Sequence, residues 1–299
     1  MTIGIALIQW APSQAGAADT SPLAEARAGF TTELTSNANS GKPAPEPPSG
    51  VLNLVEYPSP VGALAAYLTP DAGDGQKHPA IMWIVGGDNN SIDDVWTPQP
   101  SRNDQTASAF REAGIVTMYP SQRGGNTNPG QKEGFLGEAD DVLAAARFLA
   151  AQPYVDPNRI YLGGHSTGGT LALLVAELPN PFRAVFALGP AANPANYPWP
   201  EYRPFDRNDR TEVLVRAPGA WLTSVQSPTW VAEGTQAPSN IRDLRLMSKI
   251  QHNGNVHFAP LKGRDHFTEV RPATVLLAED IVADTGSGAF TTRLGHTRV

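Results

Sequence analysis

The chain has 299 residues, of which 40% are hydrophobic and 17% are charged, so it is long enough to bury a sizeable core in one α/β domain. Its formal net charge of −7 is spread along the sequence without a Lys/Arg cluster, and this excludes the basic face by which proteins bind nucleic acid. There is no cysteine, which excludes disulfides, thiolate metal ligands and a cysteine nucleophile.

The first 17 residues allow two interpretations. Ile3 to Trp10 is a short apolar run, and Ala15-Gly16-Ala17 is similar to a signal-peptide cleavage site, although no basic residue precedes the run. The run fits a truncated signal peptide and an edge strand equally well. The sequence therefore leaves open whether the protein is cytoplasmic or exported. No stretch approaches the ~20 apolar residues that span a bilayer, and we expect no membrane span. The oligomeric state is left open.

Composition divides the chain into an N-terminal arm and a main domain. Residues 36–50 are rich in Pro, Gly, Ser and Asn, which is typical of a linker. We therefore expect residues 1–50 to form an arm and linker, and residues 51–299 to form the domain. Residues 191–226 interrupt the domain with many Pro and aromatic residues, and they predict a short cap or lid.

Strands and helices alternate along the domain. Val51–Tyr57 and Val61–Leu68 predict a hairpin, and the later segments are continuous apolar strands separated by helices. The expected strands are Ala80–Val85, Ile115–Tyr119, Arg159–Gly163, Arg183–Leu188, Thr229–Ala232 and Val256–Leu261. The expected helices are Gln105–Ala113, Glu138–Ala151, Gly169–Leu178, Ile241–Ile250 and Val270–Val282. This pattern predicts an α/β fold with a mostly parallel central sheet and helices on both faces.

A nucleophile motif stands between one of these strands and the next helix. Gly164-His165-Ser166-Thr167-Gly168 has the Gly-x-Ser-x-Gly pattern, in which a serine at positive φ makes a sharp turn and needs very small neighbours two positions away on each side. An apolar strand leads into the motif and an apolar helix leads out of it. The pattern alone is weak in a glycine-rich chain, but this context predicts that Ser166 is a nucleophile.

The serine needs a base and an oxyanion hole. Among the six histidines, His266 follows the last strand, where the base of this arrangement is expected; His165 is more typical of a residue that supports the turn, and His257 of a packing residue. The backbone N–H of Thr167 is one expected oxyanion donor. The second is expected from Gly87 or Asp88, because the paired glycines after Ala80–Val85 let backbone amides face a ligand.

Several further segments resemble a known family. Asp156-Pro157-Asn158-Arg159-Ile160, Arg123-Gly124-Gly125, Gly137-Glu138-Ala139-Asp140-Asp141-Val142 and Gly163 to Gly169 are together similar to the catalytic domain of the prolyl oligopeptidase and dipeptidyl peptidase family. The resemblance covers roughly residues 51–285. It implies an α/β-hydrolase fold, a Ser-Asp-His triad and cleavage of peptide or ester bonds without a metal or organic cofactor. Large members also carry a β-propeller, which we do not expect here.

The acid of the triad departs from the family pattern. The family places an aspartate three residues after the glycine that ends the penultimate strand, and here Ala237 takes that position. Glu233, at the end of the strand itself, is the nearest carboxylate and is the predicted acid. Asp243, Asp265 and a Ser-His pair without an acid are the alternatives that the sequence leaves open.

These residues predict a serine hydrolase that forms an acyl-enzyme on Ser166, with a small ester or short peptide as substrate. The small aromatic cap favours esters slightly. The alternative is a catalytically inactive binding protein with the same fold, in which the missing aspartate indicates that activity has been lost. Metal and nucleotide chemistry have little support, because the sequence holds neither His-Glu-x-x-His nor a phosphate loop, and His252 and His257 are poorly spaced for a metal.

Overall fold

The chain folds around one eight-stranded sheet. The computed structural model describes residues 21–295, so the predictions for residues 1–17 and for His296 lie outside the described residues. Strands follow the order β1-β2-β4-β3-β5-β6-β7-β8 across the sheet. The strands are β1 (Asn53–Ser59), β2 (Gly62–Leu68), β3 (His78–Ile84), β4 (Val116–Pro120), β5 (Val155–His165), β6 (Ala184–Leu188), β7 (Thr229–Gly234) and β8 (Val256–Leu261).

The sheet is antiparallel at one edge and parallel elsewhere. Strands β1 and β2 form the predicted hairpin, and β2 pairs antiparallel with β4. All remaining neighbours pair in parallel. The carboxyl ends of β3, β5, β6, β7 and β8 therefore lie along one edge of the sheet, where ligand sites of parallel sheets are expected.

Helices cover both faces of the sheet, as predicted. The helices are α1 (Pro22–Arg27), α2 (Ala109–Glu112), α3 (Leu136–Ala150), α4 (Thr167–Ala176), α5 (Arg210–Leu214), α6 (Ile241–Ile250) and α7 (Val270–Ala283). Side chains of α3, α4 and α6 belong to one buried apolar cluster, and those of α2 and α7 belong to the other. All ten residues of α4 are buried, which explains why this helix is apolar all round. The α/β-hydrolase fold is thereby established.

One predicted helix is much shorter than expected. The helix predicted over Gln105–Ala113 contains only Ala109–Glu112. Ala107 has φ 45°, and Asp104 accepts hydrogen bonds from the amide and hydroxyl of Thr106. These local bonds hold the backbone in a loop, because short polar side chains compete with the helical hydrogen bonds. Gln105 consequently lies in a loop with its side chain free to reach other segments.

The arm and the segment 191–226 meet beside the sheet. Residues 191–226 contain α5 and several single turns of 3₁₀ helix between β6 and β7. Leu34 of the arm forms an isolated β-bridge with Phe205. The fully buried Arg216 donates a hydrogen bond to the hydroxyl of Thr32 in the arm and forms an ion pair with Glu212 of α5. These bonds join arm and segment to each other; the role of residues 191–226 as a cap stays a prediction.

Residues 21–295 contain no helix that is both long and apolar enough to cross a membrane.

Candidate active site

Ser166 forms the sharp turn between β5 and α4. Its backbone has φ 57° and ψ −117°, a strained conformation for a residue with a side chain. The Ser166 amide donates to Leu188 O at 2.8 Å, and its carbonyl accepts from the amide of Thr170 at 2.8 Å. The turn is thus fixed on both sides by main-chain hydrogen bonds, and the positive φ that the motif predicts is confirmed.

The glycines of the motif allow main-chain atoms to approach closely. A Cβ added at Gly164 would lie 2.5 Å from Gly168 O, and one at Gly168 would lie 2.1 Å from Ile84 O. No side chain fits at either position, because carbon and oxygen atoms do not approach so closely without a bond. The requirement for very small residues two positions before and after Ser166 therefore has a direct steric cause.

His266 lies in the loop between β8 and α7, close to the turn at Ser166. Its ring centroid is 4.6 Å from that of His165, and its amide donates to Pro238 O at 2.8 Å. A Cβ added at Gly189 would lie 2.6 Å from His266 Cε1. The residue after β6 must therefore be glycine to make room for the imidazole, a requirement that the sequence analysis did not detect.

Glu233 is the carboxylate that contacts the His266 ring. The distance from Glu233 Oε2 to His266 Nδ1 is 3.0 Å, and the Glu233 side chain is fully buried. Its two oxygens also accept the amides of Gly234, at 2.8 Å, and Asn240, at 2.9 Å. Two main-chain donors and one imidazole thus hold the carboxylate in place, which satisfies a buried charge in the way that burial requires.

The other candidate carboxylates are bound elsewhere. Asp243 Oδ2 accepts the amide of Ala192 at 2.8 Å. Asp265 Oδ1 accepts the amides of Thr268 and Phe267, and the hydrogen bond from Thr268 is the main cause of a lowered pKa for this carboxyl group. Asp265 binds amides of its own turn and Asp243 binds a distant loop, so neither takes the position that Glu233 occupies at the imidazole.

The predicted oxyanion donors lie on two neighbouring segments. Thr167 is the first residue of α4, and its hydroxyl donates to Gly87 O at 2.8 Å. This bond joins the turn at Ser166 to the loop after β3. Within the described part of the chain, the amides of Thr167, Gly87 and Asp88 donate no hydrogen bond. The Asp88 side chain is bound by Lys132 at 2.6 Å and by Ser91. The three amides are therefore free to bind a ligand oxygen.

The remaining histidines of the described segment lie outside this cluster. His78 contacts Asp74 at 3.1 Å, and His257 stacks on Trp230 with ring centroids 4.8 Å apart. His252 is exposed on the loop after α6.

One group of side chains in residues 21–295 has the composition of a metal site. Ligand atoms of His165, His266 and Glu269 lie within 4.8 Å of one another. However, His165 uses Nε2 to donate to His266 O at 2.6 Å and Nδ1 to accept from Gln105 at 2.8 Å. Both ring nitrogens are thus engaged, and the group fits a hydrogen-bonded cluster better than a metal site.

Glu269 is a second buried acid beside this cluster, and the sequence analysis missed it. Its side chain is fully buried, and neither carboxylate oxygen has a hydrogen-bond partner. Burial, with a smaller contribution from the charge of Glu233, raises the pKa of Glu269 well above its usual range. No pattern in the sequence distinguishes Glu269 from the ordinary first-turn acid of a helix.

Comparisons with known proteins agree with this geometry. Residues 101–213 match the model of the prolyl oligopeptidase family. The S-formylglutathione hydrolase of Rattus norvegicus is 32% identical over 45% of this chain and 54% of its own length. Dipeptidyl-peptidase 5 of Porphyromonas gingivalis is 30% identical over 34% of this chain and 15% of its own length. An esterase of Pyrobaculum calidifontis superposes with a TM-score of 0.58 at 18% identity, over 80% of this chain and 87% of its own.

The fold and these matches define the class of the protein. The chain is an α/β-hydrolase-fold protein, and it resembles the catalytic domain of the prolyl oligopeptidase family. The matched segments span about half or less of the curated relatives. The sequence relatives include a hydrolase and a dipeptidyl-peptidase, and the protein of similar fold is an esterase.

The raised pKa of Glu269 predicts a pH-dependent stability. An acid whose pKa is raised on folding contributes stability at low pH, and this contribution is lost as the pH rises above the unfolded pKa of about 4.3. Glu269→Gln removes the titration, so we expect this variant to melt at a higher temperature than wild type at pH 7.5.

The difference in melting temperature should shrink as the pH is lowered toward 4. The exposed Glu33→Gln is the matched control and should follow wild type at every pH. A Glu269→Gln variant whose melting temperature runs parallel to that of wild type between pH 4 and 8 would show that Glu269 is not a buried acid with a raised pKa.

Proposed function

We propose that this protein is a serine hydrolase that cleaves small carboxylic esters through an acyl-enzyme on Ser166. The observation that carries the proposal is the His266–Glu233 pair, with Glu233 Oε2 3.0 Å from His266 Nδ1, beside a serine in the strained turn of a nucleophile elbow. A nucleophile, a base and an acid that orients the base are the parts of a catalytic triad.

Each residue has one role in the proposed reaction. His266 Nε2 takes the hydroxyl proton of Ser166 while Ser166 Oγ bonds to the ester carbonyl carbon. Amides of Thr167 and of Gly87 or Asp88 stabilise the negative carbonyl oxygen. Glu233 keeps the Nδ1 proton of His266 in place and stabilises the imidazolium that forms.

The cycle closes with a water molecule. Collapse of the first tetrahedral intermediate breaks the bond to the alcohol, which leaves with the proton from His266. Water then attacks the acyl-enzyme and gives its proton to His266, and the second collapse returns that proton to Ser166 as the carboxylic acid departs. The cycle consumes one ester and one water, and His266 carries each proton between Ser166, the alcohol and the water.

A small cavity beside the oxyanion candidates supports a small substrate. It has a volume of about 150 Å³ and is lined in part by Asp88, Lys132, Phe135 and Tyr202. Tyr202 comes from the segment 191–226, which supports a role for this segment as a cap that limits the size of the acyl group. A cavity of this size favours short acyl chains over long ones.

Peptide hydrolysis is the second candidate. The match of residues 101–213 to the prolyl oligopeptidase family favours it, and the same Ser166, His266 and Glu233 would serve. Amino-acyl p-nitroanilides assayed beside p-nitrophenyl esters separate the two candidates. Turnover of the anilides with the esters untouched would favour the peptidase.

The role of Ser166 is tested by Ser166→Ala with p-nitrophenyl acetate as substrate. We expect wild type to show turnover above the buffer rate and Ser166→Ala to lose it, since no hydroxyl is left to form the acyl-enzyme. Ser248→Ala, on the exposed face of α6, is the matched control and should keep wild-type turnover. Equal rates in wild type and Ser166→Ala would refute the proposal and favour an inactive binding protein.

The role of Glu233 is tested by Glu233→Gln, with Asp243→Asn as the matched control. Glutamine has no negative charge to stabilise the imidazolium, and its NH₂ group cannot accept the Nδ1 proton of His266, so we expect kcat to fall by about 10²- to 10⁴-fold. Asp243→Asn should stay within about threefold of wild type, because Asp243 binds the main chain of Ala192. A Glu233→Gln variant with the kcat of the control would assign the site to a Ser-His pair without an acid.

The role of the cavity is tested by acyl chain length. We expect kcat/KM of wild type for p-nitrophenyl butyrate to exceed that for p-nitrophenyl decanoate by at least about tenfold, because a misfit of a few methylene groups lowers kcat/KM by at least this factor. Tyr202→Ala should reduce the ratio by opening the cavity, whereas Tyr154→Ala, just before the amino end of β5 and outside the cavity lining, should not. An unchanged ratio in Tyr202→Ala would show that this cavity does not hold the acyl group.

A further inference from the structure

The side chain of Gln105 joins the loop after β3 to the nucleophile elbow. Gln105 Oε1 accepts the amide of Gly86 at 3.0 Å. Gln105 Nε2 lies 2.8 Å from His165 Nδ1 and 2.7 Å from Asn103 Oδ1. Because the amide of Gly86 can only donate, these contacts fix the orientation of the Gln105 side chain, with its NH₂ group facing His165 and Asn103.

The bonds of His165 then define which ring nitrogen carries a proton. Nδ1 accepts from Gln105, so Nε2 carries the hydrogen and donates it to the carbonyl oxygen of His266 at 2.6 Å. The ring is 1% exposed. Burial, and next the nearby His266, lower the pKa of His165 to about 3, so the ring is neutral at the pH where a hydrolase of this type works.

A continuous chain of hydrogen bonds results. It runs from the Gly86 amide through Gln105 and His165 to the main chain of His266, and it passes directly beside Ser166. Its ends lie in the loop that holds Gly87 and Asp88 and in the loop that holds the base. Glu233 fixes the His266 ring, whereas His165 fixes the His266 backbone. Two side chains, those of Gln105 and His165, thus join the loops that hold the predicted oxyanion donors and base.

We propose that Gln105 and His165 are positioning residues. They hold the loop after β3, which contains Gly87 and Asp88, and the loop before α7, which contains His266, at the correct distance from Ser166. The inference rests on the proposed hydrolase function; it adds Gln105, which no motif indicates, and extends the role of His165 from the turn to the His266 loop. Displacements of about 1 Å in a catalytic site reduce rates by as much as 10²-fold, so loss of this link affects turnover more than substrate binding.

The first test compares Gln105→Met with Gln152→Met. Methionine keeps the length of glutamine and removes its hydrogen bonds. Gln152 makes one side-chain hydrogen bond, from Nε2 to Phe148 O at 3.0 Å, just after α3 and away from the site. We expect Gln105→Met to lower kcat for p-nitrophenyl acetate by about 10- to 100-fold with KM within about threefold, while Gln152→Met keeps the wild-type kcat.

A double variant shows whether the two residues act together. His165→Phe keeps an aromatic ring and removes both hydrogen bonds, and it should also lower kcat. If both residues belong to one chain, the double variant Gln105→Met with His165→Phe is no more than about twofold slower than the slower of the two single variants. Losses that multiply in the double variant would show that the residues act separately and would overturn the proposal.

Nuclear magnetic resonance of the wild-type protein tests the chain without a substitution. The ¹⁵N shifts of His165 should show a neutral ring with the hydrogen on Nε2 from pH 8 down to about 4, given a pKa of about 3. A hydrogen on Nδ1, or a ring that protonates near pH 6.5, would overturn the proposal even if the variants failed to fold. Equal kcat in Gln105→Met and Gln152→Met, with Ser166→Ala inactive, would overturn this inference and leave the hydrolase function standing.

Discussion

The close contact of main-chain atoms around Ser166 is the constraint on which the site depends. An added Cβ would lie 2.1 Å from Ile84 O at Gly168 and 2.3 Å from Leu188 O at Gly169. The start of α4 is thus pressed between the ends of β3 and β6, the strands on either side of β5. Because the fit excludes even a methyl group, the distance from Ser166 to the loops after those two strands is set by the backbone itself.

Each neighbouring loop then contributes one part of the site. The loop after β3 carries Gly87 and Asp88, and the turn after β6 contains Gly189, which leaves space for the His266 imidazole. Glu233 at the end of β7 reaches that imidazole. The two oxygens of Glu233 are satisfied by main-chain amides and the imidazole, whereas the two buried oxygens of Glu269 have no hydrogen-bond partner. An unpaired acid next to Glu233 destabilises the fold unless it is neutral, which is the physical reason for its raised pKa.

Much of the fold could be predicted because its strands are continuous apolar runs and its helices are long. The hairpin, the mostly parallel sheet and helices such as Ile241–Ile250 follow from these apolar segments and their order along the chain. The helix predicted over Gln105–Ala113 was mostly wrong, because the bonds between Asp104 and Thr106 and the positive φ of Ala107 hold a loop there. Competition between side-chain and helical hydrogen bonds leaves no periodic pattern in the sequence.

The site was predictable where a motif fixes the geometry and less so elsewhere. Ser166 and Thr167 follow from the glycine pattern, and His266 from its place after the last strand. Glu233 could be named only as one of several carboxylates, because the choice depends on which oxygen faces the imidazole in three dimensions. Gln105, Gly189 and Glu269 were not found, since their importance comes from contacts between segments that are far apart in the sequence.

The central claim is that Ser166 is the nucleophile, and mass spectrometry of the protein treated with a fluorophosphonate tests it most directly. The probe phosphonylates a serine that its surroundings activate, and digestion then locates the adduct. The account predicts one adduct per chain, on the peptide that contains Ser166. No adduct under conditions that label a known serine hydrolase, or an adduct on a different residue, would contradict it.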